Sequence, residues 1–323
     1  MRRGFARIGK RLAAFAALVL ALSFAVSCAE EVGDLNERFK RQEIQYQNDT
    51  YYLRKRLTTV LLAGVDKQSD AELGSNFRYS GQADFLVLVV IDDDQKKIIP
   101  VQINRDTMTE VTVVNVLGRK TGTRTQQICL AHAFGDGKEM SCELLAEAVS
   151  RYLKDVPVDF YVAMNMDGIV PFNDLIGGVR VTLNQDFSDK DPEMTLGKTL
   201  VLHGKQAEYF VRGRMTVGDG TNIQRLERQR AYMASAKTVL MDRIRANPNY
   251  VMTLFESLDE YLVTDMYRGR IINIANKAKD YEVCDILTID GQTCVGKYDF
   301  IEFYPDEDSL MCTVIEAFFE PAN

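Results

Sequence analysis

Three apolar runs constrain this chain more than any other feature: Val60-Leu-Leu-Ala-Gly-Val65, Phe85-Leu-Val-Leu-Val-Val-Ile91 and Ile98-Ile-Pro-Val-Gln-Ile103. A strand with one wet face alternates apolar and polar residues, so one that is apolar almost throughout needs cover on both faces. The polar stretch Asp92-Asp-Asp-Gln-Lys-Lys97 joins the last two runs and predicts that they pair as a hairpin. Helical spacing then takes over. Ser141 to Leu153 sets Leu144, Leu145, Ala148, Val149 and Tyr152 on one side. Phe160 to Met164 returns as strand, Asp167 to Ile176 reads as a helix closed by Gly177-Gly178, and Val179 to Leu183 is strand again. Lys205 to Val211 begins a short helix, and Asn222 to Arg245 is a long one. Buried strands alternating with helices predict an α/β fold, a central mixed β-sheet layered between α-helices.

This pattern fills residues 58–240 as one domain. Residues 241–323 read as a helical segment, a strand–turn unit and a final helix from Asp308 to Phe319, an extension packing on the main domain. Residues 30–57, charged and rich in Gln and Asn, read as a juxtamembrane stalk, partly helical.

Residues 1–29 are a targeting or anchoring segment. The first eleven residues carry five positive charges and no acid, and the uncharged stretch Leu12 to Ala29 follows. The basic flank stays in the cytoplasm and the rest is exported. Two readings stand side by side. Eighteen uncharged residues fall just short of the roughly 20 that span a bilayer, which allows a signal-anchor. Ala25-Val-Ser-Cys28 also resembles a lipoprotein cleavage box, with Cys28 acylated. Either reading puts the protein on the outer face of the cytoplasmic membrane. Without the five leading positives, 34 of the 39 Lys and Arg remain against 46 Asp and Glu, a net charge of −12. So acidic a chain, lacking a basic stripe with interleaved aromatics, is not a nucleic-acid binder.

Export permits disulfides. Cys129 and Cys142 flank Gly135-Asp-Gly137, and Cys284 and Cys294 flank Asp290-Gly291. The expected pairs are Cys129–Cys142 and Cys284–Cys294, leaving Cys312 over; buried unpaired thiols are the other reading. No Cys-x-x-Cys pair points to zinc or thioredoxin-like chemistry. The two histidines, His132 and His203, have no metal or triad spacing, and His132 reads as structural. No Walker loop and no Gly-x-Gly-x-x-Gly is present, so neither ATP-driven nor dinucleotide chemistry is indicated.

Against the acidic background, arginine gathers in Val211-Arg-Gly-Arg-Met-Thr-Val-Gly-Asp-Gly-Thr-Asn-Ile-Gln-Arg-Leu-Glu-Arg-Gln-Arg230. Guanidinium forks match phosphate oxygens. On the predicted helix Arg225, Arg228, Gln229 and Tyr232 share one face, beside the stripe Leu226, Met233 and Leu240. Asn222 is placed to cap the start, and the helix N-terminus adds partial positive charge. Arg212 and Arg214 add a second pair. Arg105, in Asn104-Arg-Asp-Thr107 directly after a strand, stands where open α/β sheets gather ligand groups. Nearby Asp66, Asp84 and Asp219 are candidate ligands for a divalent cation such as Mg²⁺, which takes one or two carboxylates plus phosphate oxygens.

In order and spacing these segments resemble the LytR–CpsA–Psr family of cell-envelope proteins, from about Thr58 to Leu240. The match runs through Leu61-Leu-Ala-Gly-Val-Asp66, Ala83-Asp84, Arg105-Asp-Thr107 and Ala131-His-Ala-Phe-Gly135. It continues through Val158-Asp-Phe-Tyr161, Leu175-Ile-Gly-Gly-Val179, Gly204-Lys-Gln-Ala207, Arg212-x-Arg214 and Arg225-x-x-Arg228-Gln229. The resemblance implies a pocket for a polyprenyl chain and Mg²⁺-assisted transfer of an anionic glycopolymer from an undecaprenyl-diphosphate carrier to peptidoglycan. It implies that Arg105, Arg212, Arg214, Arg225, Arg228 and Gln229 bind the diphosphate. It makes Arg105, Asp106 and Asp219 catalytic candidates, and Asp84, Asp66 and Asp219 metal candidates. Other readings are a polyprenyl diphosphate hydrolase and a non-catalytic lipid-binding or envelope-regulatory module. The chain departs from the family pattern in three places: Gln82 stands for an Arg, Asn104 for a Pro, and the spacer from Asp219 to Arg225 is long.

Overall fold

The computed structural model describes residues 41–66, 81–115, 117–213, 222–297 and 299–322. The N-terminal targeting segment, Cys28 included, lies outside the described residues, as do Arg214, Asp219 and the side chains of Asn222 and Leu226. Among the described residues no helix is long and apolar enough to cross a membrane.

Two compact units divide the chain. In the smaller, the described part of the expected stalk, from Arg41 to Leu53, is a β-hairpin rather than a helix, β1 (Glu43–Tyr46) and β2 (Asp49–Leu53). Gln47 and Asn48 both take positive φ, 49° and 72°, the turn geometry that matches the twist of a two-residue hairpin. The amide of Ala322 adds the chain's end to this hairpin by donating to the Thr50 carbonyl at 2.8 Å.

The larger unit, Arg54–Phe319, is built on a mixed sheet. Its first strands are β3 (Leu57–Asp66), β4 (Gln82–Asp92) and β5 (Lys97–Ile103), consecutive and antiparallel. β4 and β5 pair Ile91 with Ile98 across the predicted polar turn. The hairpin β6 (Met108–Val114) and β7 (Lys120–Gln127) follows, then α1 (Leu130–Ala133) and α2 (Glu139–Tyr152). β8 (Phe160–Asn165) returns parallel to β3. α3 (Ile169–Leu175), β9 (Val179–Thr182), β10 (Thr199–Leu202), α4 (Lys205–Arg212), α5 (Asn222–Ala246) and α6 (Tyr250–Ser257) complete the middle of the chain.

The last part contributes strands to both edges of this sheet. β11 (Leu262–Thr264) pairs antiparallel with β8. After α7 (Arg268–Ala278), the two-residue strands β12 (Glu282–Val283) and β13 (Leu287–Thr288) pair parallel with β5. The sheet order is β11-β8-β3-β4-β5-β12, with β13 also on β5. A hairpin, β14 (Gly291–Val295) and β15 (Ile301–Pro305), and helix α8 (Glu307–Phe318) close the unit.

Cover on both faces explains the apolar runs. Leu61, Leu86, Val87, Leu88, Val90 and Val101 are all fully buried. α2 buries Leu144, Leu145, Ala148 and Val149, and α3, α5 and α6 cover the opposite face. Tyr232 on α5 donates its hydroxyl to Asn173 of α3 at 3.2 Å, and Asn173 donates to the Leu202 carbonyl at 2.8 Å, so three elements share one buried polar chain.

The predicted glycine stop is present. Gly177 and Gly178 have φ of 92° and 85°, and their amides donate back to Asp174 and Asn173 of the helix they end. A β-carbon at Gly178 would stand 2.6 Å from Val201 Cγ1 and 2.8 Å from the Leu202 carbonyl oxygen. Gly178→Ala therefore meets both unfavourable φ and main-chain crowding. It is expected to cost about 1–3 kcal/mol of stability, read as a lowered midpoint in denaturant.

Candidate functional site

The centre of the site is Asp84, which a β-bulge sets apart from the ladder. β3 pairs Gly64 with Phe85 and Val65 with Ala83, so Asp84 has no partner in register and its side chain is re-aimed. Asp84 is 7% exposed, and its carboxylate sits between two guanidinium groups. Oδ1 accepts from Arg105, at the end of β5, and Oδ2 accepts from Arg225, in the first turns of α5, at 3.1 Å. A buried carboxylate is tolerable only with such pairing.

All three nitrogens of Arg105 are engaged. Besides Asp84, its Nε donates to Asp106 at 3.1 Å, and Nη2 donates to Gln82 at 2.6 Å and meets the Cys129 sulfur at 3.3 Å. Burial pulls its pKa down, but the anionic surroundings, Asp84 and Asp106 among them, outweigh burial and hold the group charged. Asp106 is itself buried and takes a second donor, Gln127 Nε2, at 3.2 Å.

A small polar recess opens in front of Asp84. Among the described residues it is lined by Asp66, Asp84, Met166, Val211, Arg212, Arg225 and Gln229. Arg212 closes one side, donating to Asp66 at 3.1 Å and Glu208 at 2.8 Å. Gln229 is 3% exposed, and its side-chain oxygen has no protein partner among the described residues. The recess shares Met166, Val211 and Gln229 with an apolar cavity of about 410 Å³. That cavity lies between the sheet (Leu62, Gly64, Phe85, Val162, Met164) and the helices, where Tyr232, Met233, Ala236 and Leu240 of α5 face Leu254 and Leu258. A charged head and a hydrocarbon tail can therefore sit side by side.

The structure thus sorts the sequence candidates into two tiers. Arg212, Arg225, Gln229, Asp66 and Asp84 line the recess. Arg105 and Asp106 stand behind Asp84. Arg228 is set apart: at 1% exposure it is the largest fully buried side chain among the described residues, where helical spacing alone put it on one face with Arg225 and Gln229. Its Nε donates to the Phe210 carbonyl at 2.8 Å, and its other nitrogens donate to Gln185 and to the Gly213 carbonyl. Gln185 and Cys129 are contributors that the sequence did not identify, one in an unpatterned loop and the other assigned to a disulfide.

Both expected disulfides are absent. Cys129, Cys142, Cys284 and Cys294 are free thiols. Cys129 faces Arg105, while Cys142 lies 4.0 Å from Nε2 of His132, whose Nδ1 bonds the Gly81 carbonyl at 2.6 Å in a buried structural role. Cys294 is exposed on β14, whereas Cys284 follows β12 at the sheet edge.

The donors suit a divalent cation only together with a phosphate ligand. Two carboxylates and an amide oxygen line the recess, all hard oxygen donors. Yet both Asp84 oxygens already accept from arginine. No group of three or more His, Cys, Asp or Glu that could hold a metal occurs among the described residues. Around the recess three guanidinium groups (Arg105, Arg212, Arg225) face four carboxylates (Asp66, Asp84, Asp106, Glu208), so the described charges do not by themselves neutralise a diphosphate.

The LytR_cpsA_psr family model matches residues 22–311. A stretch covering 53% of the chain is 30% identical over 172 residues to the polyisoprenyl-teichoic acid–peptidoglycan teichoic acid transferase TagU of Halalkalibacterium halodurans, covering 49% of it. A second stretch is 28% identical over 198 residues to biofilm regulatory protein A of Streptococcus mutans, covering 58% of the chain and 45% of the relative. The chain spans about half the length of these curated relatives. Its fold is similar to that of TagV from B. subtilis, with a TM-score of 0.60 at 21% identity over 82% of this chain and 97% of the other.

Burial pushes the Cys129 thiol up to about 11, with Arg105 pulling against it. Cys129 is therefore a neutral thiol at pH 7. Iodoacetamide in the native state should modify exposed Cys294 and spare Cys129 and Cys142, and denaturation without reductant should release all of these thiols, as read by peptide mass spectrometry.

Proposed function

Because the chain belongs to the LytR_cpsA_psr family, we propose that it is an extracytoplasmic transferase moving an anionic glycopolymer from an undecaprenyl-diphosphate carrier to peptidoglycan in cell-wall assembly. The observation that carries this reading is the continuity of the polar recess with the apolar cavity. Gln229, Val211 and Met166 belong to both, so one amphiphile can fill both. An isolated phosphate site would not need the cavity, and a lipid carrier without an anionic head would not need the arginines.

In this reading the diphosphate occupies the recess, with Arg212, Arg225 and Gln229 as its contacts and the prenyl chain along α5. Arg214 and Asp219 belong to the same site by family resemblance. A peptidoglycan hydroxyl attacks the polymer-proximal phosphorus and gives up its proton to solvent, the P–O bond to the lipid phosphate breaks, and the lipid monophosphate departs with the bridging oxygen. Such transfers need positioning and charge neutralisation more than covalent help from the protein. Arg225 is placed to shift its donors from Asp84 to the departing phosphate, which places positive charge where negative charge grows. Mg²⁺ is the cofactor of this proposal. Asp84 and Asp66 would hold it, and when bound it neutralises phosphate charge that the described arginines leave unbalanced. The proposed setting is the outer face of the cytoplasmic membrane, reached through the N-terminal segment.

The test uses the full-length chain in lipid nanodiscs, a radiolabelled polyprenyl-diphosphate-linked saccharide, and peptidoglycan fragments. The expected result is metal-dependent label on peptidoglycan. Arg225→Gln should lower the rate by about 10²–10³-fold, the cost of losing one preorganised donor to a developing charge. A donor that binds without being converted, in a preparation active in no metal, would favour the non-catalytic binding module instead.

A further inference from the structure

Helix α4 ends at Arg212, and the last carbonyls of any helix lack partners within it. Tyr209 has one, the amide of Gly213 at 3.0 Å. The nearby carbonyls of Phe210 and Gly213 both accept from Arg228, which reaches them from α5. The third direction of the Arg228 fork is taken by Gln185, which in turn donates to Gln224 of α5. The guanidinium also stands 5.6 Å from the centroid of the Phe187 ring. Neither Arg228 nor any of these partners lines the recess.

We infer that Arg228 is a positioning residue: it caps the C-terminal end of α4 from outside and thereby fixes the direction of Arg212, rather than binding phosphate itself. The physical case is threefold. Its partners are neutral carbonyls and an amide, which a cation at a helix C-terminus satisfies and complements in dipole. The carbonyls it holds, Phe210 and Gly213, bracket Arg212 in sequence, so the backbone that carries Arg212 cannot turn without breaking them. Reaching a phosphate would require breaking buried hydrogen bonds that have no replacement. Lys cannot substitute, because a point charge does not span three acceptors in three directions.

The geometry stands on its own, while the consequence for ligand binding rests on the diphosphate site proposed above. The experiment therefore has two arms on the full-length chain: Arg228→Gln, Gln185→Ala and their double variant, with Arg225→Gln as reference. In the first arm, amide hydrogen exchange is followed without ligand. Arg228→Gln and Gln185→Ala should both speed exchange at Ala207–Gly213, while Arg225→Gln should not. In the second arm, farnesyl diphosphate binding is titrated over a range of salt. Both anchor variants should weaken binding roughly tenfold through misplacement of Arg212, with the same dependence on salt in Arg228→Gln as in Gln185→Ala, which removes no charge, and no further loss in the double variant. Arg225→Gln should flatten the salt dependence, because it removes a charge that meets the ligand.

Unchanged exchange at Ala207–Gly213 would overturn the inference. So would a salt dependence flattened by Arg228→Gln alongside a silent Gln185→Ala, the pattern of a direct phosphate ligand. If the wild-type chain fails to bind farnesyl diphosphate, the functional reading falls and the exchange arm still decides the role of Arg228. If Arg228→Gln does not fold, Gln185→Ala carries both arms.

Discussion

The site depends on one buried carboxylate. Asp84 joins β4, the end of β5 and the long helix α5 through Arg105 and Arg225. A carboxylate this deeply buried is costly alone, and losing one partner of such a group typically costs about 3–5 kcal/mol. The bulge that frees Asp84 from the ladder and the arginines that meet it therefore stand or fall together. The packing follows: α5 must lie across the sheet where Arg225 can reach Asp84, and this places Met233, Ala236 and Leu240 along the apolar cavity.

The same arrangement explains why the arginines form tiers. Arg105, held by Asp84, Asp106, Gln82 and Cys129, behaves as scaffold. Arg212 holds Asp66 and Glu208 at the edge of the recess and Arg225 holds Asp84, and an incoming phosphate offers each a replacement anion. A preorganised cation that is already neutralised does not repel its neighbour while the site waits, and this allows several guanidinium groups to be packed closely together.

Much of the fold was legible in the sequence, and the reasons differ by element. The central strands announced themselves because burial on both faces leaves no polar alternation, and the β4–β5 turn and the Gly177-Gly178 stop carry local chemistry that needs no tertiary knowledge. The β6–β7 hairpin escaped notice because seven of the eight residues of β7, among them Lys120, Arg124 and Gln126, are polar, so no apolar rhythm marks it. The residues from Arg41 to Leu53 are rich in charged and amide side chains, which reads as stalk, yet cross-strand pairing makes them a hairpin. In the site, helical spacing brought Arg225 and Gln229 to one face correctly. It could not separate Arg228 from them, because two residues on one helical face part company only when the neighbouring carbonyls are known. The cysteine pairs failed for a related reason: proximity in sequence across a turn says nothing about which way two thiols point.

The two edges of the sheet also have a consequence for how the chain acquires its shape. β8 waits for β11, about a hundred residues later, and β5 waits for β12 and β13, nearly twice as far along. Until the last third of the polypeptide has arrived, two apolar strands present unpaired rims. Such non-local pairing slows folding, and open rims invite the wrong neighbour. A chain cut after α5 would retain the acidic and basic groups of the recess yet leave the β5 and β8 edges unpaired, so the C-terminal segments protect the sheet as well as complete it.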